Sequence, residues 1–97
     1  MNNSDNKIST ITGRYSYLSN PCLTEPCLPG LAGAVSFNNK NYFLTIDGSW
    51  ILDDHSWDKY TPHPNDIVTI TGYIKKNKDI KGNIYFTIET LSLMQAK

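Results

Sequence analysis

Both cysteines of the chain and three of its five prolines fall within eleven residues, NPCLTEPCLPG at 20–30. Cys22 and Cys27 are spaced C-x4-C. That spacing suits one half of a zinc site, with His55 and His63 as the other half, although their H-x7-H spacing is wider than a usual ligand pair. The pair is not the C-x-x-C of thiol–disulfide catalysts, and no strand–helix–strand pattern surrounds it. A disulfide is geometrically reasonable. A loop of about six residues can bring the two Cα atoms to the ~5.5 Å that a bridge needs. Chain entropy for so short a loop gives about 2 kcal/mol. In a reducing compartment the same residues would be two small thiols. The expectation is a rigid loop, stapled or with two free thiols according to its compartment, stiffened by Pro21, Pro26 and Pro29 and ended by Gly30. A metal or redox site at Cys22 and Cys27 stands as an alternative. Leu23 and Leu28 are either a contact for a partner or a cap on the fold.

A second group is Asp53-Asp54-His55-Ser56-Trp57-Asp58. Carboxylates beside an imidazole could ligate a metal, and Ser, His and Asp together contain the side chains of a hydrolase. No nucleophile motif accompanies them, however. The plainer reading is a short helix from His55 to Tyr60, capped by Asp53 or Asp54 and stopped by Pro62 and Pro64. Trp50 and Trp57 would then be lids on the core.

The third group is basic. Lys75, Lys76, Lys78 and Lys81 cluster around one acid, Asp79, with Tyr73 and Tyr85 close by in sequence. Lysines beside stacking aromatics suit a single-stranded nucleic acid, and Arg14 could add charge. Lysine-rich hairpin tips also keep a sheet edge soluble.

The bulk numbers limit these readings. Ninety-seven residues make one domain, with no room for separate cofactor and substrate domains. With 39% hydrophobic and 19% charged residues, the chain is neither disordered nor membrane-spanning in composition. Nine positive charges cancel nine negative ones, so an anionic partner would need a local patch. No apolar run approaches the ~18 residues of a membrane helix, so no membrane insertion is expected. If Met1 is the native start, the expected location is cytoplasmic; if a signal peptide was removed, it is exported or periplasmic.

Strands must position these groups. After a polar tail at 1–7, the segment 8–18 alternates, with Ile11, Gly13, Tyr15 and Tyr17 on one face and Thr10, Thr12, Arg14 and Ser16 on the other. Residues 31–37 and 42–46 form a hairpin through the turn formers Asn38–Asn41, and Asp47-Gly48 ends its second strand. Asn65-Asp66 form a turn into 66–76, where Val68, Ile70, Gly72 and Ile74 share a face. The last strand spans 83–93, with Ile84, Phe86 and Ile88 on one side. Leu91 and Leu93 fall out of phase with Ile88, which calls for a bulge near Thr90. The tetrapeptide TITG occurs at 10–13 and 69–72, 59 residues apart, which suggests a shared structural need rather than a repeat array.

One long strand with a central glycine, a loop, a hairpin, an irregular connection and a second hairpin resembles the OB-fold, a small five-stranded Greek-key β-barrel. The stretch NDIVTITGYIKKNKDIKGNIYFTIETLSL carries the closest likeness, and the resemblance covers 8–93, leaving 94–97 as a tail. It implies an all-β barrel with a short helix or irregular connection between strands 3 and 4. It also implies a binding face on 31–37 and 42–46, flanked by loops 19–30 and 75–82. On that face stand Phe37, Tyr42 and Phe43. The expected function is therefore a small non-catalytic binding or interaction module without a cofactor, taking a protein partner or, as the alternative, single-stranded nucleic acid.

Overall fold

The computed structural model describes residues 8–27, 30–51, 56–57 and 60–96. Six strands form one all-β sheet: β1 (Ile8–Ser19), β2 (Leu31–Phe37), β3 (Lys40–Ile46), the two-residue β4 (Ser49–Trp50), β5 (Ile67–Lys78) and β6 (Ile84–Gln95). Five of them close into a ring. β1 lies between β2 and β5, β5 pairs with β6, and β3 returns to both β6 and β2. The spatial order β5-β1-β2-β3, antiparallel throughout, is a Greek key. The ring closes through a parallel pairing that sets Tyr42 to Thr45 beside Phe86 to Glu89. All-β architecture and the barrel-like ring are thus as expected.

Alternation fills the interior. Ile11, Tyr15, Val35, Leu44, Val68, Ile70, Ile88 and Leu93 are buried in one core, joined by Tyr42, Ile51 and Trp57. The two TITG segments are direct neighbours. Ile11 pairs with Ile70, and the flanking threonines bond across the strands, Thr10 to Thr71 at 3.0 Å and Thr12 to Thr69 at 2.9 Å. Their glycines meet the same need. A Cβ on Gly13 would lie 2.1 Å from the Ser36 carbonyl oxygen, and one on Gly72 would lie 2.1 Å from that of Glu89. Strands that coil tightly enough to close a small ring bring backbone against backbone, and at these two points a side chain has no room.

The turns obey the same chemistry. Asn38 and Asn39 have φ of 54° and 65°, and Asp47 and Gly48 have 52° and 79°. These are the left-handed pairs that two-residue hairpins require. The register of β5 on β6 shifts between Thr71 and Gly72, which face Ser92 and Thr90. Leu91 is the extra residue; it bulges into solvent and returns Leu93 to the core.

Two expectations need correction. No helix occurs among the described residues of the connection after β4. Instead Trp57 and Tyr60 exchange both backbone hydrogen bonds, at 2.8 and 2.9 Å, as an antiparallel bridge. Trp57 anchors this turn in the core, and burial of an indole outweighs a weak local helix preference. The proposed caps Asp53 and Asp54 lie outside the described residues. The last strand also runs past 93 to Gln95, with the Ala96 amide still donating to Ile67. The 1–7 tail is outside the described residues. Among the described residues no helix is long and apolar enough to cross a membrane.

Candidate functional site

Cys22 and Cys27 are joined by a disulfide, with Cα atoms 4.9 Å apart. The loop is clasped at its base by the Asn20 amide donating to the Gly30 carbonyl at 3.0 Å. Cys22 is buried and Cys27 exposed. Such a bond persists in oxidising surroundings. It also occupies both sulfurs, so the cysteines offer no thiolates to a metal, although the Glu25 carboxylate lies within 4.8 Å of them. His55 lies outside the described residues. The His63 side chain is largely exposed and faces Asp66, 4.0 Å away.

The stapled loop does not stand alone. The Ile80 amide, at the tip of the β5–β6 hairpin, donates to the Cys22 carbonyl at 3.0 Å. Asp79 shapes that tip by accepting from the Lys81 and Asn83 amides, each at 2.9 Å. Burial alone would raise its pKa, but these bonds lower it below the ordinary carboxylate value. The two flanking loops expected on sequence grounds, 19–30 and 75–82, are therefore bonded to each other.

Between the stapled loop and the β3–β4 turn lies a cleft of about 510 Å³, lined by Asn20, Pro21, Leu23, Thr24, Gly48, Ser49 and Trp50. Trp50 packs edge-on against Phe43 (centroids 5.3 Å, 70°) and tilted against Tyr85 (6.1 Å, 37°). Phe43 and Tyr85 complete the triangle at 6.4 Å. Beneath the rings, Ala32 and Ala34 are fully buried, with Leu18 beside them. The outer face of β2 and β3 is thus a second small core under an aromatic cover.

Glu89 holds the turn that forms the far wall. Its carboxylate accepts from the Thr45 hydroxyl at 2.6 Å and from the amides of Asp47 and Gly48 at 2.5 and 3.1 Å. Burial would raise its pKa, but these bonds and the charge of Lys75 lower it. Nothing in the sequence marked Glu89 beyond a carboxylate facing outward in a strand. Trp50, expected as a lid on the main core, instead lines the cleft. The signal for its position was present in Ala32 and Ala34, two small residues on one face that leave room for a large cover.

The expected site residues divide between two faces. Phe43, Tyr73, Lys75 and Tyr85 share the outer face, where Tyr73 opposes Glu89 and Lys75 opposes Thr87. Tyr42 points inward, is buried, and packs 5.7 Å from Phe86, so it belongs to the core. Both members of the pair 42–43 are aromatic, and alternation alone gave no phase. Phe37 is partly exposed at the end of β2. Lys76 and Lys78 face the opposite side of the hairpin from Tyr85, and Lys81 is exposed at its tip.

In the acidic stretch, Asp53, Asp54, His55 and Asp58 lie outside the described residues. The Ser56 hydroxyl bonds that of Thr61. Nearby, Tyr60 donates its hydroxyl to Asp66 at 2.7 Å, and the His63 amide donates to the same carboxylate at 3.0 Å. Burial, then this bond and the Asp66 charge, push the Tyr60 phenol up to about 12. The His63 amide and the Tyr60 hydroxyl lower Asp66, overcoming its desolvation, with a smaller contribution from the His63 charge. This cluster fastens the turn that enters β5, as Asn65-Asp66 led us to expect.

No protein family, no curated protein and no solved structure matches this chain.

Proposed function

We propose that the chain is a small non-catalytic binding module that seats its ligand in the cleft between the stapled loop and the β3–β4 turn. We infer an OB type for its barrel. Five long strands in a Greek-key ring, with glycines where β1 and β5 meet neighbouring backbone, support that assignment. So does the position of the cleft against the loop after the first strand, which the hairpin of the last two strands holds through the Ile80–Cys22 bond. Export to an oxidising compartment is the setting in which its staple would last.

The observation that carries the reading is the joint fixation of the two loops. A disulfide, a base clasp and the Ile80–Cys22 bond hold one wall of the cleft. Glu89 holds the other. Rigid walls lower the entropy cost of capturing a ligand, and a mostly apolar recess with a few polar groups is the common form of a recognition site. Among the described residues the lining contains no Lys, Arg or His, which weighs against a phosphate backbone in this cleft. Single-stranded nucleic acid would need the outer face near Tyr73, Lys75 and Tyr85 instead, where Glu89 stands opposite Tyr73.

A photo-crosslinking residue at Leu23, compared with one at Thr12 on the remote threonine face, tests the proposal in the native source. Adducts from position 23 that disappear in a Trp50→Ala background are expected. Equal capture at both positions, or none at position 23, would defeat it.

A further inference from the structure

The alternation that fills the core continues beyond the ring, but its chemistry changes. On the inward-phase face of the β5–β6 hairpin, Ile74 is followed by Lys76 and Lys78, and Ile88 is preceded by Phe86 and Ile84. Register sets Lys76 beside Phe86 and Lys78 beside Ile84. From the neighbouring hairpin, Lys40 reaches over the same ring, its ammonium 5.1 Å from the Phe86 centroid. Phe37 pairs with Lys40 across that hairpin. Two hairpin ends thus converge on one phenyl ring and bring three lysines with them.

Apolar side chains accompany the charge. Phe37 is 37% exposed, Ile84 48% and Ile80, at the tip, 52%. Among the described residues no carboxylate pairs with these lysines. Among the described residues the sole ion pair is His63 with Asp66. Asp79 is engaged by its own turn, and Glu89 lies on the other face of the hairpin, toward Lys75. The chain has no net charge, so this is a local anion-seeking surface with apolar points.

We propose that this end of the barrel docks on an anionic lipid surface. Phe37, Ile80 and Ile84 enter the head-group boundary, and Lys40, Lys76 and Lys78 meet the phosphates. Three observations favour lipid over a nucleic-acid strand. The Phe86 ring is covered by Lys40 and packed on Tyr42, so it offers no open face for a base. Two of the three exposed apolar residues are aliphatic, which enter an acyl boundary but do not stack. Lysine stems also lie along apolar material while the ammonium reaches phosphate. This proposal does not depend on the cleft.

The test is co-sedimentation of the full chain with phosphatidylcholine vesicles, with and without phosphatidylglycerol, beside a fluorescent oligothymidylate. Binding is expected only with the anionic lipid and should weaken as salt shortens the reach of charge below ~8 Å. Neutralising Lys40, Lys76 and Lys78 together to Gln should cost roughly fivefold per lysine. Phe37→Ser with Ile84→Ser should weaken binding while leaving its salt dependence in place. No binding to either vesicle, equal binding to both, indifference to the lysine changes, or a preference for the oligonucleotide would each overturn the proposal. If the triple variant fails to fold, the salt titration of the unaltered chain decides: binding indifferent to salt rejects it.

Discussion

The amide of Ile80 donates to the carbonyl of Cys22 over 3.0 Å, joining two loops 58 positions apart in the sequence. The bond ties the tip of the β5–β6 hairpin to the stapled loop, so a change in either reaches the other. The aromatic cover of Phe43, Trp50 and Tyr85 draws its residues from β3, β4 and β6. Its geometry therefore depends on the pairing of β3 with both β4 and β6.

Reduction, or Cys22→Ser with Cys27→Ser, should lower stability by about 2 kcal/mol through the freed loop. For a chain of this size that corresponds to roughly 10 °C in melting temperature. Calorimetry with and without a phosphine reductant reads it directly. Superimposable melts would mean that the prolines, the Asn20–Gly30 clasp and the Ile80 bond suffice.

Gly13→Ala and Gly72→Ala each drive a methyl group toward a carbonyl oxygen 2.1 Å away. Backbone cannot move aside cheaply, so about 3 kcal/mol should be lost at each position. Gly82→Ala meets nothing within 4 Å but sits at φ 87°, and should cost only about 1 kcal/mol. Denaturant unfolding of the three variants gives the ranking. If Gly82→Ala proved the most damaging, close approach would not be why TITG occurs twice.

Glu89, Asp66 and Asp79 are all held below their ordinary values of 4.5, 3.8 and 3.8. Each carboxylate thus contributes stability that is complete above those unfolded values and lost as pH falls through the lower folded ones. Glu89→Gln keeps the shape but weakens three accepted bonds. It should cost about 1 kcal/mol at neutral pH and flatten the acid limb. Urea midpoints from pH 7 downward check this; an unchanged acid limb would remove Glu89 from the account.

Tyr60 behaves in the opposite sense at high pH. Its neutral form is favoured in the fold, with a pKa near 12 against 10.0 unfolded. The stability it contributes is intact below pH 10 and is lost as pH climbs toward 12. Phenolate absorbance should show a late-titrating tyrosine that vanishes in Tyr60→Phe. An unaltered titration curve in that variant would contradict the Tyr60–Asp66 bond.

Much of the ring could be read before the structure was known because its signals are local. Alternation placed Ile11, Tyr15, Val68 and Ile70, and the slipped phase between Ile88 and Leu93 located the bulge. The candidate site was less legible because it is assembled by contacts between distant segments. Cys22 and Cys27 announce a loop, but not that Ile80 will hold it. Phe43 and Tyr42 look alike in sequence and differ only in which way one strand faces. Trp57 sat in a stretch with helix-like caps, yet burial of its indole set a bridge to Tyr60. Glu89 carried no motif, since its role arises from a turn 42 positions away.

The pairing of one TITG segment with the other matches a sequence with its own reverse. The register brings Thr10, Ile11 and Thr12 against Thr71, Ile70 and Thr69, a triad facing its own reverse. Until β5 has been synthesised, the first strand of a second chain offers the same triad, in the same antiparallel sense, as the native partner. Self-association of nascent chains would therefore compete with folding through a correctly matched surface rather than an accidental one. Closing the ring pairs both copies of the segment within one molecule, and with them occupies the edge through which chains could pair.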